Sequence, residues 1–224
     1  MTYFVKRARI TPGPDDHWDG DCWSAADTLD VNHFHPRSSE HRPLTRAKVL
    51  HDEDHLYVLF DVLDRYVRCV HTDFQSMVSR DSCVEFFLQP REQPGYFNFE
   101  INCGGTMLLY YIKDSTRAPD APFREFTKVP EAPARQVRIW PSLPRRVDPE
   151  IDRPVHWSLG CAVPLGLFEA FTGDLRPLRG RDWRGNFFKC GDETSHPHWA
   201  SWVPIGEVLS FHQPDRFGTI RFER

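Results

Sequence analysis

Polar and apolar residues alternate most regularly between positions 83 and 103. Val84, Phe86 and Leu88 share one face of a first segment, and Phe97, Phe99, Ile101 and Cys103 share one face of a second. The opposite faces carry Cys83, Glu85, Phe87 and Gln89, then Tyr96, Asn98, Glu100 and Asn102. A period of two predicts two half-buried strands. The link from Pro90 to Gly95 holds two prolines and one glycine, which suits a hairpin-like connection. Paired this way, the polar faces merge into one patch of carboxylates, amides and an aromatic. Such a patch has two uses. It is the solvated exterior of a sheet, or it is a polyol-binding surface whose carboxylates and amides hydrogen-bond hydroxyl groups. The alternation does not choose between them.

The same reading extends along the chain. Tyr3 to Ile10 is expected to pair as an edge strand, ended by Thr11-Pro12-Gly13-Pro14. Asp21 to Ala26 reads as a short turn or helix anchored by Trp23. Thr45 to Leu50 and Leu56 to Asp64 are strands around an acidic turn, the second apolar on both faces until Asp61, as a central strand requires. Thr106 to Lys113 sets Leu108, Tyr110 and Ile112 against Met107, Leu109 and Tyr111. Residues 114–154, rich in proline and charge, read as a loop insertion with one strand-like island at Arg135 to Trp140. His156 to Val163 is a strand, and Pro164 to Phe171 offers a helical turn or two starting at a proline. Asn186 to Cys190 and Phe217 to Phe222 complete the set. Roughly nine to eleven short strands with little helix predict an all-β fold, an antiparallel jelly-roll-like β-sandwich forming a single domain over residues 1–224.

Composition narrows the function. Hydrophobic residues make up 40% of the 224 positions and aromatics 13%, enough for a real core. Net charge is −4 and the basic residues are dispersed, apart from four arginines between Arg176 and Arg184. This balance argues against nucleic acid or an anionic membrane as partner. No run approaches the ~18 apolar residues of a membrane span. The N-terminal residues lack the apolar core of a signal peptide, so the expected location is cytoplasmic unless a leader has been removed. Six cysteines without a C-x-x-C pair read as buried thiols. His33, His35 and His41 read as a surface loop, since no carboxylate or cysteine completes a metal-ligand spacing. Calcium is the one cofactor left open, with Asp61 and Asp64 as candidate ligands.

Several segments, taken in order, resemble the family 9 carbohydrate-binding modules. They are Trp23; Ala47-Lys48-Val49; Leu56-Tyr57-Val58 ending in Asp64; Asp81-Ser82-Cys83-Val84-Glu85-Phe86-Phe87; Phe99-Glu100-Ile101-Asn102; Trp157 before Ala162-Val163-Pro164; Asn186-Phe187; Ser201-Trp202; and Pro214 to Gly218. The resemblance implies a jelly-roll-like sandwich that binds a sugar end without catalysis, accompanying a glycoside hydrolase in polysaccharide breakdown; the expected state is a monomer. In that family two aromatics clamp a terminal sugar ring. One of these places falls here on Met77-Val78-Ser79, without an aromatic; the other falls on Phe211. The family's acidic hydrogen-bonding residue matches Glu85, and its arginine on the neighbouring strand matches Glu100, a reversal of charge. The expected site is therefore Glu85 and Glu100 rimmed by Arg80, Asn98, Asn102, Phe211 and Trp199, the last as a replacement platform.

Two other chemistries compete. Glu85 and Glu100, facing one another on neighbouring strands, match the carboxylate pair of a glycoside-processing enzyme. Met77 with His212 or His196 matches the ligand types of a haem-binding sandwich, without a supporting spacing. A third outcome is a sandwich that has kept the fold and lost the sugar.

Overall fold

The computed structural model describes residues 1–92 and 94–223. Gln93, in the middle of the expected hairpin link, lies outside the described residues. Among the described residues the strands run in chain order as β1 Thr2–Arg7, β2 Leu29–Asp30, β3 His33–Phe34, β4 Leu44–His51, β5 His55–Asp64, β6 Val67–Cys69, β7 Cys83–Gln89 and β8 Tyr96–Asn102. They continue as β9 Met107–Asp114, β10 Glu125–Lys128, β11 Arg138–Pro141, β12 Val147–Ile151, β13 Val155–Pro164, β14 Asp182–Cys190, β15 Trp199–Ser201 and β16 Gly218–Phe222. Helix α1, Glu131–Ala134, is a single turn; α2, Leu165–Thr172, follows Pro164, whose fixed φ suits a helix start.

The strands form one curled sheet in the order β10-β9-β8-β7-β14-β16-β1-β4-β5-β13-β11, with β12 and β6 paired apart. The first half, to β16, and the second half, from β4, stack as a sandwich. Phe60 of β5 meets Phe86 of β7 across the gap, with ring centroids 6.4 Å apart. Val84, Phe86, Leu88, Phe97, Phe99 and Ile101 all enter this core, as their alternation requires. A slip of one residue would exchange these six for the polar set, so the register is strongly specified.

Strand β1 departs from the expected edge. It pairs in parallel with β16 through Thr2–Val5 and then with β4 through Lys6 and Arg7, so it joins the two halves. Val5 is fully buried as a result. Residues 114–154 also hold more structure than their composition suggests. Beyond the island at β11, β10 pairs with β9 and β12 with β6. These short segments carry little periodicity of their own; partners distant in sequence satisfy their backbone groups.

The outer face of the first half is covered, not solvated. Phe87, Tyr96, Leu108, Tyr110 and Phe188 point to that side and pack with Phe123, Ile205, Phe211 and Phe217 from the loops above. Asn186 pins the loop of residues 203–213, which carries Ile205 and Phe211. Its Oδ1 accepts from the Val203 and Phe187 backbone N–H groups and its Nδ2 donates to the Val203 carbonyl. Gln213 then holds the loop together by donating to the carbonyls of Ile205, Val208 and Ser210. The six cysteines are buried and free.

Candidate functional site

Between this outer face and its covering loops lies a cavity of about 450 Å³. Its floor is built from β7, β8, β9 and β14, which supply Glu85, Asn98, Glu100, Tyr110 and Cys190. Its walls come from Trp199 at the start of β15 and from the loops, which supply Phe211, His212, Asp192, Phe123 and Arg117; Phe123 packs on His212, with ring centroids 4.5 Å apart. Met77 sits at the rim with its side chain half exposed.

Glu85 and Glu100 are register partners across β7 and β8. Both are buried. Asn98 Nδ2 donates to Glu100 Oε1 at 2.7 Å, and Asn98 Oδ1 accepts the Tyr110 backbone N–H. The Cys190 thiol donates to Glu85 Oε1 at 3.1 Å. Burial pushes the Glu85 carboxyl well above the ordinary carboxylate range, with Cys190 and Glu100 adding to the effect. Burial likewise raises Glu100 to about 7, against the hydrogen bond from Asn98. Asp192 is raised by burial too, although Trp199 Nε1 donates to its Oδ1 at 2.7 Å. His212 stays neutral, because burial and the nearby Arg117 lower it to about 3. Its Nδ1 lies 2.9 Å from the Tyr96 hydroxyl.

Of the residues expected from the sequence, Glu85, Asn98, Glu100, Trp199 and Phe211 line this one cavity. Arg80 and Asn102 do not. Arg80 lies on the surface against Glu193, with 3.3 Å between Nε and Oε1. Asn102 is fully buried: its Nδ2 donates to Asp81 and to the His71 carbonyl, and its Oδ1 accepts the Thr106 N–H. It thereby closes the β8–β9 turn, where Gly105 takes a φ of +85°. Period two places Asn102 on the polar face but cannot show that the turn consumes its hydrogen bonds.

Asp61 and Asp64, the candidate calcium ligands, lie away from the cavity. Asp61 pairs with Arg46 at 2.8 Å and His156 at 2.5 Å. Asp64 pairs with His41 at 2.7 Å and Lys189 at 3.5 Å, and accepts from Trp157 Nε1 at 3.2 Å. Both carboxylates thus give their oxygens to cations of the protein itself. Of the haem-type residues, Met77 and His212 share the cavity, whereas His196 stacks on Tyr66, with centroids 3.6 Å apart.

Sequence reasoning missed Tyr110, Phe123, Arg117, Cys190 and Asp192 in the cavity. Tyr110 was legible as the outward face of β9. Phe123 and Arg117 sit in a proline-rich loop whose path no local pattern reveals. A second cleft of about 730 Å³ includes Arg7, Asp52, Glu53 and Arg176 in its lining. Its charges pair locally, as in Arg7–Glu53 at 2.8 Å and Arg176–Asp54 at 3.7 Å, and it lacks the aromatic walls of the first.

An aromatic-walled cavity with directed carboxylates and an amide, on a β-sandwich, is the architecture of a small-ligand binding module. The comparisons say which. The sequence profile described as carbohydrate-binding family 9 matches residues 24–222, and the chain belongs to that family. It is a carbohydrate-binding module, and its carbohydrate binding is non-catalytic. A protein from Bacteroides uniformis, described as a candidate carbohydrate-binding protein, superposes with a TM-score of 0.85 at 28% identity, over 99% of each chain. A family 9 module from Caldicellulosiruptor kristjanssonii in complex with cellotriose gives a TM-score of 0.61 at 15% identity, over 100% of this chain and 94% of that one. A structure of a family 9 module from the same organism with glucose gives 0.58 at 14%, over 100% and 97%. At those lower identities the likeness is one of fold. No curated protein matches the chain.

Proposed function

We propose that the cavity above β7, β8, β9 and β14 holds the end of a sugar chain. One observation carries this reading: aromatic rings and buried hydrogen-bonding groups converge on a space of sugar size. Trp199 and Phe211 supply apolar faces for the ring, while Glu85, Asn98 and Glu100 supply partners for its hydroxyl groups. Phe211 is itself held in place by Phe188, stacked at 4.1 Å. Trp199 takes over the role that Met77, at the rim, cannot fill. In the cell the module would work beside a glycoside hydrolase, keeping polysaccharide near it. This predicts faster release of soluble sugar from insoluble polysaccharide when module and enzyme are linked than when they are mixed.

A thermal-shift and calorimetry screen against mono- and oligosaccharides tests the site, with and without calcium. A bound sugar must raise the melting temperature of the wild type, and the shift should shrink in Trp199→Ala. Absence of any shift in the folded wild type would overturn the reading. Reducing sugar newly formed in the same samples would point instead to catalysis by the Glu85/Glu100 pair.

A further inference from the structure

Three aspartates are buried as deeply as the cavity carboxylates, and each has a cation of the protein beside it. Asp61 has Arg46, Asp64 has Lys189, and Asp81 has Arg68 at 3.9 Å with His71 at 3.2 Å. Glu85 and Glu100 break this rule. Among the described residues no lysine or arginine forms an ion pair with either. The imidazole nearest Glu100, that of His212 at 4.0 Å, is neutral. Glu85 has a thiol as its hydrogen-bond partner. Both residues are buried, with about a tenth of the Glu100 side chain left exposed, and both line the cavity. The cavity's basic groups form no ion pair with them: the Arg117 guanidinium lies over Phe123 and donates to the Pro122 carbonyl, its attraction on Glu100 being weaker than the opposing effect of burial, and the Lys128 ammonium lies over Tyr110 at 5.9 Å. Ionising a buried carboxyl without a partner is costly, so these two, with Asp192 beside them, hold their protons above the ordinary carboxylate range, and a cation entering the space would let them ionise.

We infer that the missing cation arrives with the ligand: the cavity takes a hexosamine with a free amino group, its ammonium held by Glu85 and Glu100 and its ring against the aromatic walls. This rests on the cavity being the sugar site. Charge-assisted hydrogen bonds of this kind are roughly twice as strong as neutral ones, and an ammonium is further favoured beside aromatic faces. N-acetylation would remove the charge and leave both carboxylates unmatched. A metal ion is the competing cation, because Cys83, Glu85 and Cys190 offer ligand atoms within 4.8 Å of one another. A space of about 450 Å³ with aromatic walls, however, suits an organic cation far better than a lone ion.

Calorimetry at neutral pH with glucosamine, glucose and N-acetylglucosamine, in metal-free buffer and again with zinc, decides the matter. Glucosamine should bind roughly tenfold or more tightly than the two uncharged sugars. Glu100→Gln should bring the glucosamine-to-glucose affinity ratio towards one; if that variant misfolds, the wild-type ratio stands as the test. Equal or tighter binding of glucose or N-acetylglucosamine overturns the inference and leaves the sugar site standing. Binding of no sugar overturns both. Stoichiometric zinc binding that erases the preference for glucosamine overturns the inference by assigning the cation to a metal.

Discussion

Glu85 and Glu100 stand opposite one another on adjacent strands, buried, and among the described residues no lysine or arginine forms an ion pair with either. The fold bears this cost where a cavity opens onto the outer face of these strands. Uncompensated carboxylates of this kind mark binding sites more often than they stabilise a core.

These two groups should therefore withdraw stability from the ligand-free protein as pH rises through the range where they ionise. Glu100 moves from an ordinary 4.5 to about 7, and Glu85 is raised as well. A raised carboxyl favours the folded state while protonated, so no penalty exists below the unfolded value. The penalty grows as pH climbs to the folded value and is complete above it. Buried neutral His212 and His198 act in the opposite sense over the same range, so the comparison with Glu100→Gln isolates the carboxyl: between about pH 4.5 and 7 the wild-type melting temperature should fall relative to that of the variant.

Asp64 behaves in the opposite sense. Burial alone would raise it, but Lys189 and the hydrogen bond from His41 outweigh burial and hold it well below the usual range. Lys189 is itself fully buried and also reaches His198 Nε2 at 2.7 Å. Lys189→Met leaves the Asp64 charge buried without its lysine and should cost roughly 3–5 kcal/mol in urea unfolding. The double variant Lys189→Met/Asp64→Leu should recover a large part of that loss.

The two aromatic walls should separate by their readouts. Trp199 is only partly buried, so Trp199→Ala should weaken sugar binding by roughly ten- to a hundredfold, judged from aromatic stacking on other rings. Its effect on melting should be small. Phe211 is buried and stacked on Phe188, so Phe211→Ala should lower affinity and also cost roughly 3–5 kcal/mol of stability. Calorimetry paired with denaturant melts measures both quantities.

Asn186 joins the sheet to the loop that carries Phe211. Replacing it with alanine removes three hydrogen bonds and leaves the Val203 backbone groups unpartnered. A loss of roughly 1–3 kcal/mol is expected. Hydrogen exchange in residues 203–213 should quicken more than in β7 or β8, since the loop opens locally before the sheet does.

Much of the fold was legible because strand alternation is a local property. The faces of β7, β8 and β9 follow from period two, and burial of one face specifies the register that sets Glu85 against Glu100. The ordered motifs of the resemblance add the sandwich and the kind of ligand. The sequence alone thus determined the two strands of the candidate site, their carboxylates and the family. Only tertiary structure decided that their polar face is covered, because the covering loops are placed by long-range contacts such as Asn186 with Val203. It also decided that β1 joins the halves, that Asn102 serves a turn and that Asp61 and Asp64 face protein cations. Each of these depends on which distant group arrives to satisfy a buried polar atom, and local pattern carries no record of that partner.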